Sequence, residues 1–347
     1  MAAKLHRNLL LGTVLILAAS TVLLLSDMGQ RTRTSSGPGK RWKIFLIQYN
    51  NVVDVQESED GVLEGLRNSG LTEGRDYEAR VVNAQGDMAT VSALVDAAVN
   101  DHADLLVTFS TPTLQAAIRR APSSTPIVFT YVASAVAAGA GRSEKDHLPN
   151  VTGVSTGAAY DDLIAAIKRW FPHVRTLGTL FVPAESNMVF HTTNLEAAAR
   201  RAGYKLEVVP VSTATEIADA ATALTARDVD AICQVPGNLT AAGFGSISRA
   251  AQRAHIPVFA FQQAQAKDGA LLVAARDYRD AGREAARLAV AIVRGDTPAK
   301  TPFQNFNRTK FVVNLDAARA LDLSLPPDLV QSAQELIEDG VIRSSSR

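Results

Sequence analysis

Small polar residues recur directly after apolar, β-branched runs, and they are the residues of this sequence best suited to hold a ligand. Ser110, Thr111 and Thr113 follow the run ADLLVTF and open a helical stretch. Hydroxyls combined with the free backbone N–H groups of a helix N-terminus suit a carboxylate or another anion. Thr111 before Pro112 also fits an ordinary N-cap, so capping and ligand contact are both open at this position.

Similar polar groups follow the other apolar runs. Asn187 opens a helix after TLGTLFV, and Asn238 follows VDAICQV; each suits either ligand contact or ordinary turn chemistry. The rings of Tyr49 and Tyr131 suit stacking on a flat ligand or packing between two domains. The complete set of candidate ligand-binding residues is Tyr49, Asn50, Gln85, Ser110, Thr111, Thr113, Tyr131, Glu185, Asn187, Asn238 and Gln262.

The order of strands and helices predicts an α/β fold. Apolar runs indicate strands near 43–48, 78–83, 104–109, 126–131 and 151–155, and again near 176–182, 205–211, 229–235, 257–261 and 270–275. Helices are predicted between them, including a weak one at 134–142 and a long one at 241–254, and two helical pieces follow near the C-terminus around Pro326 and Pro327. Buried strands alternating with helices indicate parallel sheets covered on both faces, whose ligands bind beyond the carboxyl ends of the strands. Two similar halves therefore predict two lobes around a cleft.

The N-terminal 41 residues differ from the rest of the chain. Residues 9–25 are almost entirely apolar, which favours an uncleaved signal anchor or transmembrane helix over a cleaved signal peptide. Residues 29–41 predict a flexible tether. More basic residues follow the apolar stretch than precede it, which conflicts with export of the body under the positive-inside rule. Beyond residue 43 the net charge is −6, which argues against nucleic-acid binding through a basic face.

Motifs typical of enzymes and metal sites are absent from the sequence. It contains no phosphate-binding loop, no GxGxxG after a strand, no GxSxG and no metal-ligand spacing, so no cofactor or metal is predicted. Cys233 is the single cysteine, and its apolar surroundings are more typical of a buried hydrophobe than of a catalytic thiol. The six histidines are scattered and expected at the surface. An enzyme on a flavodoxin-like scaffold stays an alternative, because a fold does not fix a function.

Several stretches resemble, in order along the chain, the ABC transporter substrate-binding proteins of the family that includes tryptophan- and phenylalanine-binding members. These stretches include EGLRNSGLTEGRDYE, NAQGDMATVSALV, TPTLQAAI, NVTGVS, DAGREAARLAVAIVRGDTPA and NLDAARALDLSLPPDLV, and together they cover roughly residues 42–338. The resemblance implies a periplasmic binding protein type I fold: two doubly wound parallel-sheet lobes joined by three crossovers, near 153–156, 274–277 and 301–305. The implied lobes are 42–154 plus 278–301, and 155–277 plus 302–338, preceded by the signal anchor and tether of residues 1–41.

The resemblance also implies a function. It indicates an extracytoplasmic solute-binding protein of an ABC importer, with ABC permease subunits as partners, hinge closure over a small organic ligand, and no enzymatic activity. It places the protein in the periplasm, held to the inner membrane through residues 9–25, and assigns ligand contact to the Ser110–Thr113 loop. A membrane-tethered sensor for a signalling partner is the alternative.

The expected ligand depends on the acidic residues near the cleft. Members of the resembled family that bind amino acids usually carry acids in the cleft loops, whereas here only Glu185, Asp87 and Asp277 are placed to play that role. Such acids neutralise an α-ammonium group. We therefore expect a neutral or anionic small molecule rather than a free α-amino acid bound in the usual way.

Overall fold

Strands and helices alternate along residues 40–344, the part of the chain that this computed structural model describes. The strands are β1 Trp42–Gln48, β2 Tyr77–Asn83, β3 Leu105–Phe109, β4 Ile127–Val132, β5 Val151–Ser155, β6 Thr176–Phe181, β7 Lys205–Pro210, β8 Ala231–Gln234, β9 Val258–Ala260, β10 Leu272–Arg276, β11 Gln304–Asn305, β12 Thr309–Asn314, β13 Glu335–Glu338 and β14 Val341–Ser344. The helices are α1 Val53–Arg67, α2 Met88–Asn100, α3 Thr111–Arg120, α4 Tyr160–Trp170, α5 Ser186–Ala202, α6 Ile217–Thr225, α7 Asn238–Ala242, α8 Phe244–Arg253, α9 Gln263–Lys267, α10 Tyr278–Val293, α11 Leu315–Ala320 and α12 Pro327–Ser332.

The strands form two sheets that share one design. The first sheet has the order β11-β5-β4-β3-β1-β2, and all of its neighbouring strands are parallel. The second has the order β14-β13-β12-β10-β9-β8-β6-β7 and is parallel from β7 to β10. Its other edge is mixed, because β12 runs antiparallel to β10 and β14 runs antiparallel to β13. The predicted α/β fold with two parallel-sheet lobes is confirmed.

Both sheets reverse their direction of growth after the first strand. In the first sheet β1 lies between β2 and β3, and in the second β6 lies between β7 and β8. The carboxyl ends of such neighbouring strands form a crevice, which is where doubly wound sheets bind ligands. The first sheet with α1, α2, α3 and α10 is here called the first lobe, and the second sheet with the remaining helices is called the second lobe.

The hydrophobic cores follow from the alternation of side chains along buried strands. In β1, Ile44 and Leu46 contribute to the core on one face of the first sheet, and Phe45 and Ile47 contribute to the core on the other. Successive side chains of a strand point to opposite faces, so a strand covered on both sides must be apolar throughout. The second lobe has one extended core of its own.

Helix α10 follows the second crossover but packs against α1 in the first lobe. Two glycines permit the close contact: a Cβ atom on Gly61 would lie 2.0 Å from the carbonyl oxygen of Arg279, and one on Gly282 would lie 2.1 Å from that of Ser58. Both neighbours are backbone atoms, which move only if a whole helix shifts. The glycines therefore hold α10 to the first lobe.

One arginine touches all three connections between the lobes. The Nε of Arg276 donates to the carbonyl oxygen of Gly157 at 2.8 Å. Its Nη1 donates to the carbonyl oxygen of Asn307 at 2.6 Å and to Oγ1 of Thr309 at 2.5 Å. Gly157 follows β5, Arg276 ends β10, and Asn307 follows β11, whose pairing with β5 belongs to the first sheet. The residue limits proposed for the lobes stay a prediction.

Three predicted elements differ from the structure. The weak helix at 134–142 is wrong: the segment forms turns, one ended by Gly139 at φ 88°. The helix at 241–254 is divided at Gly243, where a Cβ atom would lie 2.4 Å from Cδ1 of Ile217. The last helical piece near the C-terminus ends early, because Glu335–Glu338 pairs with β12 and β14 as a strand.

The predicted apolar helix over residues 9–25 lies outside the described residues, as does the tether up to residue 39. Within residues 40–344, none of the helices combines the length and the apolar character that spanning a membrane requires.

Candidate functional site

A narrow cavity lies between the lobes, at the carboxyl ends of the parallel strands. The space inside it that a water-sized sphere can occupy is only about 30 Å³, so the walls lie close together in this arrangement of the lobes. Candidate residues from both lobes line it: Asn50, Ser110, Thr111 and Tyr131 from the first lobe, and Asn187, Asn238 and Gln262 from the second. The sequence did not single out the other main lining residues, which include Val52, Thr156, His191 and Tyr278.

The remaining four candidates lie outside this cavity. Tyr49, Gln85 and Glu185 line a wider groove that shares the three asparagines of the cavity wall. Thr113 is fully buried, and its hydroxyl donates to the carbonyl oxygen of Ser110 at 2.9 Å. Direct contact of any candidate with a ligand stays a prediction.

Helix α3 directs its N-terminus into the cavity from a strained residue. Ser110 is the N-cap, with φ 100° and ψ 158°, and Pro112 occupies the first turn. The expectation that Thr111 caps the helix is wrong, because Thr111 already belongs to α3 and its buried Oγ1 has no hydrogen-bond partner within residues 40–344. The first N–H groups of a helix have no intrahelical acceptor, so this end of α3 offers donors and hydroxyls together.

A bulge turns Tyr131 towards the second lobe. The pairing of β4 with β5 shifts register between Phe129 and Val132, and Tyr131 has φ 55°. The Tyr131 ring meets that of Tyr278 edge-on, with centroids 4.9 Å apart. Its hydroxyl accepts a hydrogen bond from Nε2 of Gln262 in the second lobe at 2.5 Å. A bulge commonly re-aims a side chain beside a functional site.

Several buried polar atoms in the cavity wall have no hydrogen-bond partner among the described residues. They are Oδ1 of Asn50 and Oγ1 of Thr111 in the first lobe, and Oδ1 of Asn187 and Oε1 of Gln262 in the second. Leaving a buried polar group unpaired costs about 1–3 kcal/mol. Three of the four are amide oxygens, which accept hydrogen bonds and suit an ammonium group. With the donors of α3, the cavity offers complementary groups for both ends of a zwitterion.

Glu185 acts on its own lobe. Its carboxylate accepts hydrogen bonds from the backbone N–H groups of Asn238 at 2.7 Å and Leu239 at 2.8 Å. It also accepts from Nδ2 of Asn187 at 3.2 Å and Nδ2 of Asn238 at 3.1 Å. Glu185 therefore caps α7 and fixes the two asparagines so that their oxygens remain available to the cavity.

The other two acids expected near the cleft are helix caps. Asp87 accepts from the backbone N–H of Thr90 at the start of α2, and Asp277 accepts from that of Asp280 at the start of α10. Within residues 40–344, no three His, Cys, Asp or Glu side chains are grouped so that they could hold a metal ion.

The sequence analysis missed Asp54, a buried acid where the lobes meet. Its Oδ1 accepts from the backbone N–H of Ala264 in the second lobe at 3.4 Å, and its Oδ2 has no partner within residues 40–344. Burial raises the pKa of Asp54 to about 7, and the nearby Glu57 adds to the rise, whereas the amide of Ala264 and the charge of Lys310 oppose it. Tyr131 and Tyr278 feel its charge as well. No pattern in the sequence shows that the start of α1 faces the other lobe.

His191 was also missed, and for this residue the expected surface position is wrong. It is buried and lines the cavity one helical turn after Asn187. Residues four apart share a helix face, which is a signal the sequence contains. Burial lowers the pKa of His191 to about 3, so the imidazole is neutral. Its Nδ1 forms a short hydrogen bond with the hydroxyl of Tyr160.

Comparison with known proteins connects this geometry to binding proteins. A tyrosine-binding protein of Clostridioides difficile (strain R20291) is 27% identical over 284 residues, 82% of each chain. The ABC domain in complex with L-Trp from Streptococcus pneumonia is 26% identical with a TM-score of 0.82, covering 86% of this chain and all of that one. The ligand-free, open structure of a substrate binding protein with adhesive properties from Clostridium difficile is also 26% identical, with a TM-score of 0.67 over 83% of this chain and 97% of that one.

The family model described as "ABC transporter substrate binding protein" matches residues 48–337. This range contains every candidate residue and both walls of the cavity. Two of the relatives above are named as a tyrosine-binding protein and a substrate binding protein, so the resemblance seen in the sequence is confirmed and the enzyme alternative is not supported. The chain belongs to the ABC transporter substrate-binding protein family, and it is a binding protein rather than an enzyme.

Proposed function

We propose that this substrate-binding protein serves an ABC importer and captures an L-α-amino acid with an aromatic side chain between its lobes. The observation that carries the proposal is the convergence of unpartnered polar atoms from both lobes on one cavity. The N-terminus of α3 supplies donors for the carboxylate. The amide oxygens of Asn50, Asn187 and Gln262 supply acceptors for the ammonium group. The rings of Tyr131 and Tyr278 supply apolar surface for an aromatic side chain.

This proposal replaces the expectation of a neutral or anionic ligand. That expectation counted only carboxylates near the cleft and found Glu185, Asp87 and Asp277. Amide oxygens take over part of the role of those acids, and the buried Asp54 lies beside the same wall. The names of two relatives point the same way, since one is a tyrosine-binding protein and another was solved with L-Trp.

Hinge closure over the ligand is part of the proposal. Among the described residues, three hydrogen bonds cross the cleft: Gln262 to Tyr131, Ala264 to Asp54, and Gln115 Nε2 to Ser186 Oγ at 3.1 Å. At equal identity, the chain superposes better on the L-Trp complex than on the ligand-free, open relative. Both observations favour a closed arrangement of the lobes. A ligand that contacts both lobes shifts the equilibrium towards that arrangement.

The cellular setting follows from the family. We place the protein outside the cytoplasm, with ABC permease subunits as its partners and residues 9–25 as the segment that holds it to the membrane. Fractionation of cells into membrane and soluble pools, before and after deletion of residues 9–25, tests this placement. Because a signal anchor also directs export, the full chain should be found in the membrane pool and the deleted form in the soluble cytoplasmic pool; an unchanged distribution contradicts the placement.

Calorimetric titration of the purified protein with L-tyrosine, L-tryptophan and L-phenylalanine tests the ligand class. D-enantiomers, L-lysine and glucose serve as controls. We expect at least one aromatic L-amino acid to bind and to raise the melting temperature. At a hundredfold excess over its Kd, the ligand should increase the free energy of unfolding by about 2.7 kcal/mol. Binding of a sugar or another class, with no response to aromatic amino acids, would refute the proposal.

A pair of asparagines on α5 makes the same test specific for the cavity. Asn187→Ala removes an acceptor that lines the cavity, and we expect at least about a tenfold loss of affinity. Asn194→Ala is the matched control, because the Asn194 amide only donates to the carbonyl oxygen of Phe190 within its own helix. Equal affinities of the two variants would place the ligand elsewhere.

A further inference from the structure

A chain of hydrogen bonds ends at the cavity wall and has no part in the binding roles assigned above. It begins at the hydroxyl of Tyr160, whose pKa is raised by burial, while the backbone of Ala158 opposes the rise. The hydroxyl of Tyr160 forms a hydrogen bond with Nδ1 of His191, and His191 lines the cavity. Edge-on contact with Phe261, at a centroid distance of 5.5 Å, fixes the ring of Tyr160.

The chain has one arrangement of protons that satisfies every member. Burial raises the pKa of the Tyr160 hydroxyl, so the hydroxyl keeps its proton. Within residues 40–344, Nδ1 of His191 is the only protein acceptor that this hydroxyl reaches. A neutral imidazole that accepts at Nδ1 must carry its hydrogen at Nε2.

We propose that Tyr160 holds His191 in the tautomer with a hydrogen on Nε2, so that the cavity wall presents a fixed donor and selects a ligand with an acceptor facing it. The inference rests on the proposed function, because it chooses among aromatic amino acids. A phenol oxygen accepts a hydrogen bond from Nε2–H. An indole N–H only donates and meets another donor, and a phenyl ring offers no strong acceptor. The structure thus assigns L-tyrosine as the preferred aromatic ligand, ahead of L-tryptophan and L-phenylalanine.

The size of the preference follows from the value of one neutral hydrogen bond. Such a bond contributes about 0.5–1.5 kcal/mol net, which corresponds to a preference of about three- to tenfold for L-tyrosine over L-phenylalanine. A donor facing a donor leaves both groups unpaired, so L-tryptophan is disfavoured by at least as much. Removal of the Tyr160 hydroxyl frees Nδ1 to take the hydrogen and turns Nε2 into an acceptor.

The test combines two measurements on the full chain. Long-range proton–nitrogen NMR of the ligand-free protein reads which nitrogen of His191 carries the hydrogen. Calorimetry then compares the affinities for the three aromatic amino acids in wild type, Tyr160→Phe and His191→Phe. Tyr204→Phe is the control, because this tyrosine packs against the core of the same lobe and does not line the cavity.

The expected results are specific. Wild type and Tyr204→Phe show hydrogen at Nε2 and prefer L-tyrosine. Tyr160→Phe shifts the ratio of tyrosine to tryptophan affinity towards tryptophan by about three- to tenfold, and His191→Phe reduces the ratio of tyrosine to phenylalanine affinity to about one. An unchanged ratio in both variants, or hydrogen at Nδ1 in wild type, overturns the inference but leaves the proposed function intact. Failure of wild type to bind any of the three amino acids overturns the proposed function and the inference together.

Discussion

The two lobes bring polar groups to the shared cavity by different means. In the first lobe the backbone is strained: Ser110, directly beyond a strand, has a φ of 100°, and Tyr131, at a bulged strand end, has a φ of 55°. In the second lobe, Glu185 and Gln262 have ordinary φ values of −92° and −114°. There a network of side-chain hydrogen bonds centred on Glu185 holds the binding groups in place.

The difference predicts how each lobe responds to change. A non-glycine residue in a sparsely populated backbone region costs of order 1–3 kcal/mol. The residues that follow the strands of the first lobe, here called its tips, therefore reduce the stability of the fold. A satisfied network has no such cost, but it fails when one member is lost. Substitutions at first-lobe tips should therefore separate stability from binding, whereas those in the second-lobe network should reduce both.

The largest expected effect lies at Asp54, where the two lobes meet. Its pKa is about 7 with the lobes together, above its ordinary value of 3.8, so the closed protein binds a proton that an open or unfolded form releases. The closed form is therefore favoured most below about pH 4, and the advantage is lost as the pH rises to about 7. One proton changes the equilibrium constant for closure by at most tenfold per pH unit. The free energy that favours the closed form therefore falls by at most about 3 kcal/mol between pH 5 and 7. Affinity measured across pH 5–8 checks it.

Asp54→Asn provides the control for that pH dependence. The asparagine amide is isosteric with the carboxyl group and does not titrate. The ligand affinity of the variant should therefore vary less with pH than that of the wild type. Glu57 and Lys310 also act on this carboxyl and remain in the variant. Identical pH profiles for the two proteins would show that Asp54 does not couple closure to proton uptake.

Gly282→Val tests how far the first lobe depends on exact backbone fit. A side chain here meets the Ser58 carbonyl oxygen and pushes α10 away from α1, at an expected cost of about 3 kcal/mol in unfolding free energy. Denaturant unfolding measures it. Gly245→Ala is the matched helical control in the second lobe, where the nearest atom is the flexible Arg249 guanidinium, and it should stabilise by up to about 1 kcal/mol. Equal losses in both variants would contradict the assigned contact.

Glu185→Ala tests the second-lobe network. The change leaves two backbone N–H groups and two amide groups without their acceptor, and we expect a loss of about 2 kcal/mol in stability with at least a tenfold loss in affinity. Glu207→Ala is the control, because its partner Arg227 lies at the surface and an exposed pair contributes little. Thermal unfolding and calorimetry measure both quantities. A loss of stability without a loss of affinity would mean that Asn187 and Asn238 are positioned by other contacts.

Ser110→Gly has the smallest expected effect. It shows most clearly that backbone strain is a property of the first lobe and not of the second-lobe network. Glycine adopts a φ of 100° without strain, so stability should rise by about 1 kcal/mol while loss of the hydroxyl weakens ligand binding several-fold. Ser110→Ala keeps the strain and loses the same hydroxyl, so its affinity should fall without the gain in stability. If glycine does not stabilise the protein relative to alanine, backbone strain at this tip is refuted.

The sequence predicted the elements that depend on local pattern and missed those that depend on contacts between distant segments. Cys233 is buried in a strand, as its apolar neighbours indicated, and burial raises the pKa of its thiol. The carboxyl-end tips at Asn50, Ser110 and Asn187 were predicted because each follows an apolar run. The division of one predicted helix at Gly243 depends on Ile217, which no periodicity reveals.

The site itself was predictable only in part, for a similar reason. Glu185 was identified as an acid near the cleft, but its role in holding Asn187 and Asn238 depends on the pairing of loops about fifty residues apart. Asp54 lies between two valines in the first turn of α1, and its contact with Ala264 of the second lobe depends on a segment about two hundred residues away. His191 shares a helix face with Asn187, so helical periodicity alone was enough to predict that His191 faces the cavity.

The guanidinium of Arg276 limits the ways in which the lobes can move. Three chain segments cross between them, and in principle each can twist about its own bonds. Because all three share hydrogen bonds with one side chain, none of them can twist without pulling on the other two. We therefore expect relative motion of the lobes to be mainly rotation about an axis near Arg276 rather than sliding or shear. In that case a single angle would describe the state of the cleft, and the permease partner proposed above would distinguish open from closed forms by that angle.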